Sequence, residues 1–209
     1  QELAAGQEEV REPGGMLLIE APNAQQNPFD LVVLDHATHF DAGALAALLE
    51  TTGFEIRHTA EDWIRKELSI VACPGGNCAP RLKVAQPGSR VNPVGGVQWL
   101  ERLKNDAISR AISSPIGVFG TSIGGSWLRA ELGTGAGFFV DEDSNRVGKT
   151  YLGLPVLAPN DVSPGGLVYV ALTPEIARSV ASRCARPGVS YLVPPELEEP
   201  GSLPQQSAR

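Results

Sequence analysis

The chain has 209 residues, with 17 Lys and Arg against 24 Asp and Glu, a formal net charge of −7. That acidic balance argues against a protein that grips nucleic-acid phosphates, which needs basic patches. Hydrophobic residues at 42% and charged residues at 20% exclude a disordered chain, and no run reaches the roughly 18 consecutive apolar residues of a membrane helix.

Residues 1–14 are polar and run into Pro13-Gly14-Gly15, the pattern of a helix tail and a turn. Met16–Glu20 is an apolar run of strand length, stopped by Pro22-Asn23. Leu31–Leu34 is apolar but too short for periodicity to separate strand from helix. Asp41 is placed to cap a helix whose Leu45, Leu48 and Leu49 share one face, and Gly53 ends it. Phe54–Thr59 and Leu68–Cys73 read as two antiparallel strands. Four prolines and five glycines fall within 74–96, so the chain divides into a first domain at 1–75, a linker at 76–96 and a second domain at 97–186.

The second domain opens with a helix over about 97–112, with Val97, Leu100, Leu103, Ile108 and Ile112 on one side. Pro115–Phe119 is a strand feeding Gly120, and Ser122–Leu132 a helix. Gly137–Val140 and Leu167–Leu172 are strands, and Thr173-Pro174 starts a helix that runs to about Cys184. Strand, helix and strand in this alternation predict an α/β fold with a parallel sheet. Residues 187–209 are a Pro-rich tail, read as extended.

Between the strand and helix of the second domain lies IGVFGTSIGGSWL. Set on the dinucleotide fingerprint, it places Gly120, Ser122 and Gly125 at the three glycine positions. Gly120 permits the tight turn, and Gly125 lets helix and strand pack closely. Ser122 stands where a third glycine would admit a pyrophosphate, so the classical nicotinamide reading weakens. Asp141, 21 positions after Gly120, ends the next strand, where an acid can hold a ribose hydroxyl. Close packing of small residues explains the same turn without a ligand. The segment also spells the Gly-x-Ser-x-Gly elbow of hydrolases, but all three histidines precede it, which is the wrong chain order.

Those histidines include a dense cluster, Asp35-His36-Ala37-Thr38-His39-Phe40. An imidazole is the natural general base near neutrality, and an adjacent carboxylate such as Asp35 could orient it. Capping of the following helix is an equally open reading. Two histidines three apart also make half a metal site, but no further ligand is adjacent and no metal is expected. Cys73 and Cys78 sit in a CPGGNC turn and Cys184 stands alone. With an odd count, the thiols are read as free, a transient Cys73–Cys78 disulfide being the alternative, and the compartment as reducing and cytoplasmic.

Two passages resemble a known family. REPGGMLLIEAPN, VVLDHATHFDAGALAALLETTGFEI and LSIVAC, within residues 11–73, are similar to the C-terminal part of a class I SAM-dependent methyltransferase catalytic domain. IGVFGTSIGGSWL, FFVDED, GKTYLGLPVLAP and LVYVALTPEIA, within 115–184, resemble the Rossmann-like domain that follows it in bacterial deoxysugar C-methyltransferases. They also resemble the nucleotide-sugar-binding domain that precedes some sugar acetyltransferases. The resemblance implies that a Tyr-x-Glu-His segment supplies the base, which falls on Val33, Asp35 and His36, with Val33 departing from the pattern. It implies S-adenosylmethionine as cofactor, a nucleotide-linked sugar as substrate, and Gly120, Ser122, Gly125 and Asp141 as the nucleotide side. The glycine turn and acid that build a SAM site, and the family's N-terminal zinc cysteines, have no counterpart here. The chain opens on Gln1 with no signal sequence, so the expectation is the C-terminal portion of a methyltransferase, not binding SAM alone. A non-catalytic nucleotide-sugar-binding or dimerisation module, with a homodimer as its assembly, is the alternative.

Overall fold

In the computed structural model, residues 15–75 and 93–197 are described. The polar segment 1–14, Cys78 and the far end of the tail lie outside them. The chain divides at Pro93/Val94 into two units, a break that falls inside the Gly/Pro-rich segment. A helix already begins at Pro93, so part of the segment read as linker is helical.

In the first unit, β1 (Leu17–Pro22), β2 (Phe54–Ala60) and β3 (Glu67–Pro74) form a sheet in the order β1-β3-β2. Both strand pairings are antiparallel, with Leu17 opposite Ala72 and Phe54 opposite Pro74. Helix α1 (Ala42–Thr51) starts where Asp41 accepts the Ala44 N–H at 2.6 Å, the capping that the sequence predicts. It lays Ala42, Leu45 and Leu49 on Ile56, Leu68, Ile70 and Ala72. Each Leu or Ile buried in this way stabilises the unit by about 1.5–3 kcal/mol. The apolar run at 31–34 is neither strand nor α-helix: Leu31 and Val32 close a 3-10 turn and Val33–Leu34 follow it. Pro28 starts a 3-10 turn, Pro28–Val32, that buries Phe29 and Asp30 and leaves Leu34 fully exposed. Cys73 is disulfide-bonded, which corrects its reading as a free thiol, whereas Cys184 is free and buried.

The second unit runs α2 (Pro93–Arg110), β4 (Ile116–Phe119), α3 (Ile123–Leu132), β5 (Ala136–Val140), β6 (Thr150–Tyr151), β7 (Leu154–Leu157), β8 (Leu167–Val170), α4 (Pro174–Arg183) and β9 (Ser190–Leu192). The sheet order is β6-β7-β5-β4-β8-β9. All neighbours are parallel except the β6–β7 hairpin. The chain therefore builds outward from β4 through β5 to β7, then returns to lay β8 and β9 on the other side. That reversal between β4 and β8 is a topological switch point, where α/β sheets open a crevice at the strands' carboxyl ends. The core gathers Phe119, Val140, Val168, Val170, Ala177 and Val180.

Two details depart from the sequence reading. Helix α2 buries Trp99, Leu100, Leu103 and Ala107 and exposes Val97 and Ile108. At about 100° per residue the first four fall in one arc and the other two opposite it; Ile112 lies beyond the helix end. The tail, in turn, is not merely extended. Ser190–Leu192 adds strand β9, with Val168 opposite Tyr191, and the Trp99 indole donates to the Pro195 carbonyl at 2.8 Å.

Candidate functional site

The first unit assembles its polar groups around one carboxylate. The 3-10 turn that begins at Pro28 places Asp30 in the interior. The loop beyond it is fastened by the Val33 N–H on the Asp30 carbonyl and the His36 N–H on the Val33 carbonyl. Its far end is held by a bridge between Asn23 and Phe40. Asn23 is fully buried and donates to Glu61 at 3.0 Å. This folding brings both imidazoles of the segment onto Asp30. Nδ1 of His36 lies 2.6 Å from Oδ1, and Nδ1 of His39 lies 2.6 Å from Oδ2.

An ionised carboxylate only accepts hydrogen bonds, so both Nδ1 atoms carry the hydrogen. In the neutral form of each ring, Nε2 then carries the lone pair. The two side chains are partly exposed, 37% for His36 and 28% for His39. A buried carboxylate that fixes tautomer and ring direction is the usual support for a histidine acting as base or ligand. Asp35, the acid beside His36 in sequence, is exposed; Asp30 is the partner instead. Half-buried Glu67 has its carboxyl pushed up, first by burial and then by the negative fields of Glu20 and Asp30. This corner of the unit is therefore acidic. Among the described residues no three His, Cys, Asp or Glu side chains are grouped to hold a metal. Asp30 is the residue that sequence reasoning missed. Its signal was a lone acid inside the apolar run Phe29–Leu34, where an unpaired charge has no reason to be.

In the second unit, the turn after β4 has the conformation the glycine pattern predicts. Gly120 has φ +91°, a left-handed backbone that favours glycine, and its N–H reaches the Val140 carbonyl at 2.8 Å. A Cβ on Gly125 would lie 1.9 Å from the Gly120 carbonyl oxygen, so only glycine fits. Ser122 caps α3 through its backbone carbonyl, which accepts the Ser126 N–H at 2.8 Å. Its side chain makes no cap bond and is exposed.

Asp141 closes this turn. Its Oδ2 accepts the Thr121 N–H at 3.0 Å and the Thr121 hydroxyl at 2.6 Å, and its Oδ1 accepts the Asp143 N–H at 3.0 Å. Burial alone raises the carboxyl pKa. The Thr121 hydroxyl, the two backbone N–H groups and the Arg146 guanidinium outweigh burial and hold it below the ordinary Asp value. Arg146 completes the clasp by donating to the Thr121 carbonyl at 2.6 Å and to its hydroxyl. Three of the roughly four acceptor sites of the Asp141 carboxylate are thus in use.

Among the described residues, neither unit brings together the parts of an S-adenosylmethionine site. That cofactor needs a glycine turn after a parallel strand and an acid free to take its ribose. In the first unit α1 is opened by Asp41, and both strand pairings are antiparallel. In the second the turn is present, but the acid is engaged. The described residues therefore provide no step through the cofactor.

The candidate residues fall into two groups. His36 and Asp35 lie in the first unit; Gly120, Ser122, Gly125 and Asp141 lie in the second. Among the described residues no helix is long and apolar enough to cross a membrane. No protein-family model matches this sequence, and no curated protein matches it closely enough to count as a relative.

Proposed function

We propose that the chain is the C-terminal portion of a SAM-dependent methyltransferase acting on a nucleotide-linked sugar or glycan precursor, with the methyl donor held outside the described residues. The observation that carries this reading is the pair of 2.6 Å contacts that bind His36 and His39 to one buried acid. In that arrangement His36 is the base. In the neutral ring its Nε2 lone pair is placed to take a proton from an acceptor hydroxyl, and the imidazolium formed holds that proton. Asp30 is a positioning residue: it keeps the hydrogen on Nδ1 and stabilises the imidazolium that results. General-base catalysis of this kind contributes roughly 10²–10⁴-fold.

The test uses the natural protein that carries this sequence, supplied with SAM and a panel of UDP- and TDP-sugars, with methyl transfer followed by mass. His36→Ala is expected to lower turnover by about 10²-fold or more. Unchanged turnover removes His36 from the mechanism, and no transfer to any sugar counts against the reading as a whole.

A second reading is favoured by the order of the parallel strands. A switch point between β4 and β8 is where such sheets receive a ligand, so the second unit alone would serve as a non-catalytic nucleotide-sugar-binding module. Calorimetric titration of UDP- or TDP-sugars into the chain supports that reading if binding is tight and methyl transfer is absent.

A further inference from the structure

The β6–β7 hairpin and the turn after β4 enclose a cavity of about 270 Å³ in the second unit. Its walls expose polar and apolar surface in about equal measure and carry two cations. Arg146 and Lys149 line it together with Thr121, Asn145, Thr150 and Tyr151, and Val156 is the apolar element. No carboxylate is among these residues. The two nearest acids in sequence are otherwise engaged: Asp141 faces Thr121 and the Asp143 N–H. Asp143 accepts from the Asn145 backbone at 2.9 Å and pairs with Arg146 Nε at 3.4 Å.

The cationic wall is built before any ligand arrives. Arg146 is pinned on the Thr121 carbonyl and hydroxyl. Tyr151 is held by a 2.8 Å bond between its hydroxyl and that of Ser126, and by an edge contact with the Phe139 ring at 5.2 Å. Lys149 lies exposed at the mouth and makes no ion pair with any described residue. Pre-set donors around one unbalanced ammonium suit an anion rich in oxygen acceptors.

Size narrows the ligand. Pockets for whole drug-sized molecules run from about 300 to 1,000 Å³ and are mostly apolar. A smaller cavity lined by two cations and no carboxylate fits part of a ligand, and the anionic part of a nucleotide-linked sugar is its diphosphate. We propose that this cavity binds a phosphoryl anion, the diphosphate of a nucleotide-linked ligand, through Lys149 and Arg146. This deepens the nucleotide-sugar reading and rests on it only for the identity of the ligand. The phosphates then lie against the hairpin and Thr121, and Asp141 serves as the clasp of that wall.

The probes are inorganic pyrophosphate, inorganic phosphate and UDP, titrated calorimetrically into the chain at one fixed ionic strength, with amide chemical shifts followed in parallel. Pyrophosphate and UDP are expected to bind more tightly than phosphate and to shift the amides of Thr121, Lys149 and Tyr151. Lys149→Glu is expected to weaken both by about tenfold or more. Lys149 holds no other side chain among the described residues, so this variant keeps its fold. Binding of pyrophosphate without UDP supports the anion site and counts against the nucleotide reading, which separates the two failures. No binding of either probe, or equal affinity in Lys149→Glu, overturns the proposal.

Discussion

Both units place a carboxylate at the centre of a polar constellation, and they use it in opposite ways. In the first, each Asp30 oxygen meets a side-chain nitrogen of a partly exposed ring that has a second nitrogen. In the second, Asp141 gives its oxygens to one hydroxyl and two backbone N–H groups of its own loops. An acid bonded to imidazoles passes its charge on to an atom that can react. An acid bonded to the main chain holds a turn in shape and has most of its acceptor capacity in use. On the proposed reading, proton transfer belongs to the first constellation, while Asp141 shapes the wall of the second.

The largest expected effect falls on that scaffold. Gly125→Ala drives a methyl group into the Gly120 carbonyl, which belongs to the backbone and cannot swing aside. A loss of about 4 kcal/mol or more is expected in urea denaturation. A loss below about 1 kcal/mol would show that α3 and the turn can separate cheaply, and the comparison would lose its second term.

A smaller effect is expected at Asp141. Its folded pKa lies below the unfolded value, so its stabilisation is present above the unfolded Asp pKa of about 3.9 and is lost as pH falls through the folded value. Asp141→Asn is expected to cost about 1 kcal/mol at neutral pH and to flatten the acid limb of the stability curve. Denaturant midpoints measured from pH 2 to 7 check both. An acid limb identical to the parent's would mean that the clasp carries no charge-dependent stability.

Much of the fold is legible in the sequence because local rules act there undisturbed. Asp41 caps α1, Gly120 takes a left-handed turn, and the strand–helix alternation of 115–184 gives parallel pairing. The parts that escape are set by contacts distant in the chain. The buried face of α2 was misjudged because Trp99 was left out of the pattern, and Trp99 reaches across 96 positions to Pro195. β9 is three residues long and becomes a strand only because β8 offers an edge. At the candidate site, His36 was visible as a titratable group. Sequence adjacency nominated Asp35 as its partner, but the 3-10 turn carries Asp30 inward and leaves Asp35 in solvent. Hydrogen-bond partners follow the path of the loop rather than the order of the letters.

Asp30 fixes His36 and His39 with the hydrogen on Nδ1 and, in the neutral ring, the lone pair on Nε2. Long-range ¹H–¹⁵N correlation spectra of the chain, at a pH where both rings are neutral, read the tautomer of each histidine directly. The Nδ1–H form is expected for both, kept in Asp35→Asn and lost from both in Asp30→Asn. Nε2–H forms in the parent chain, or spectra unchanged by Asp30→Asn, would contradict it.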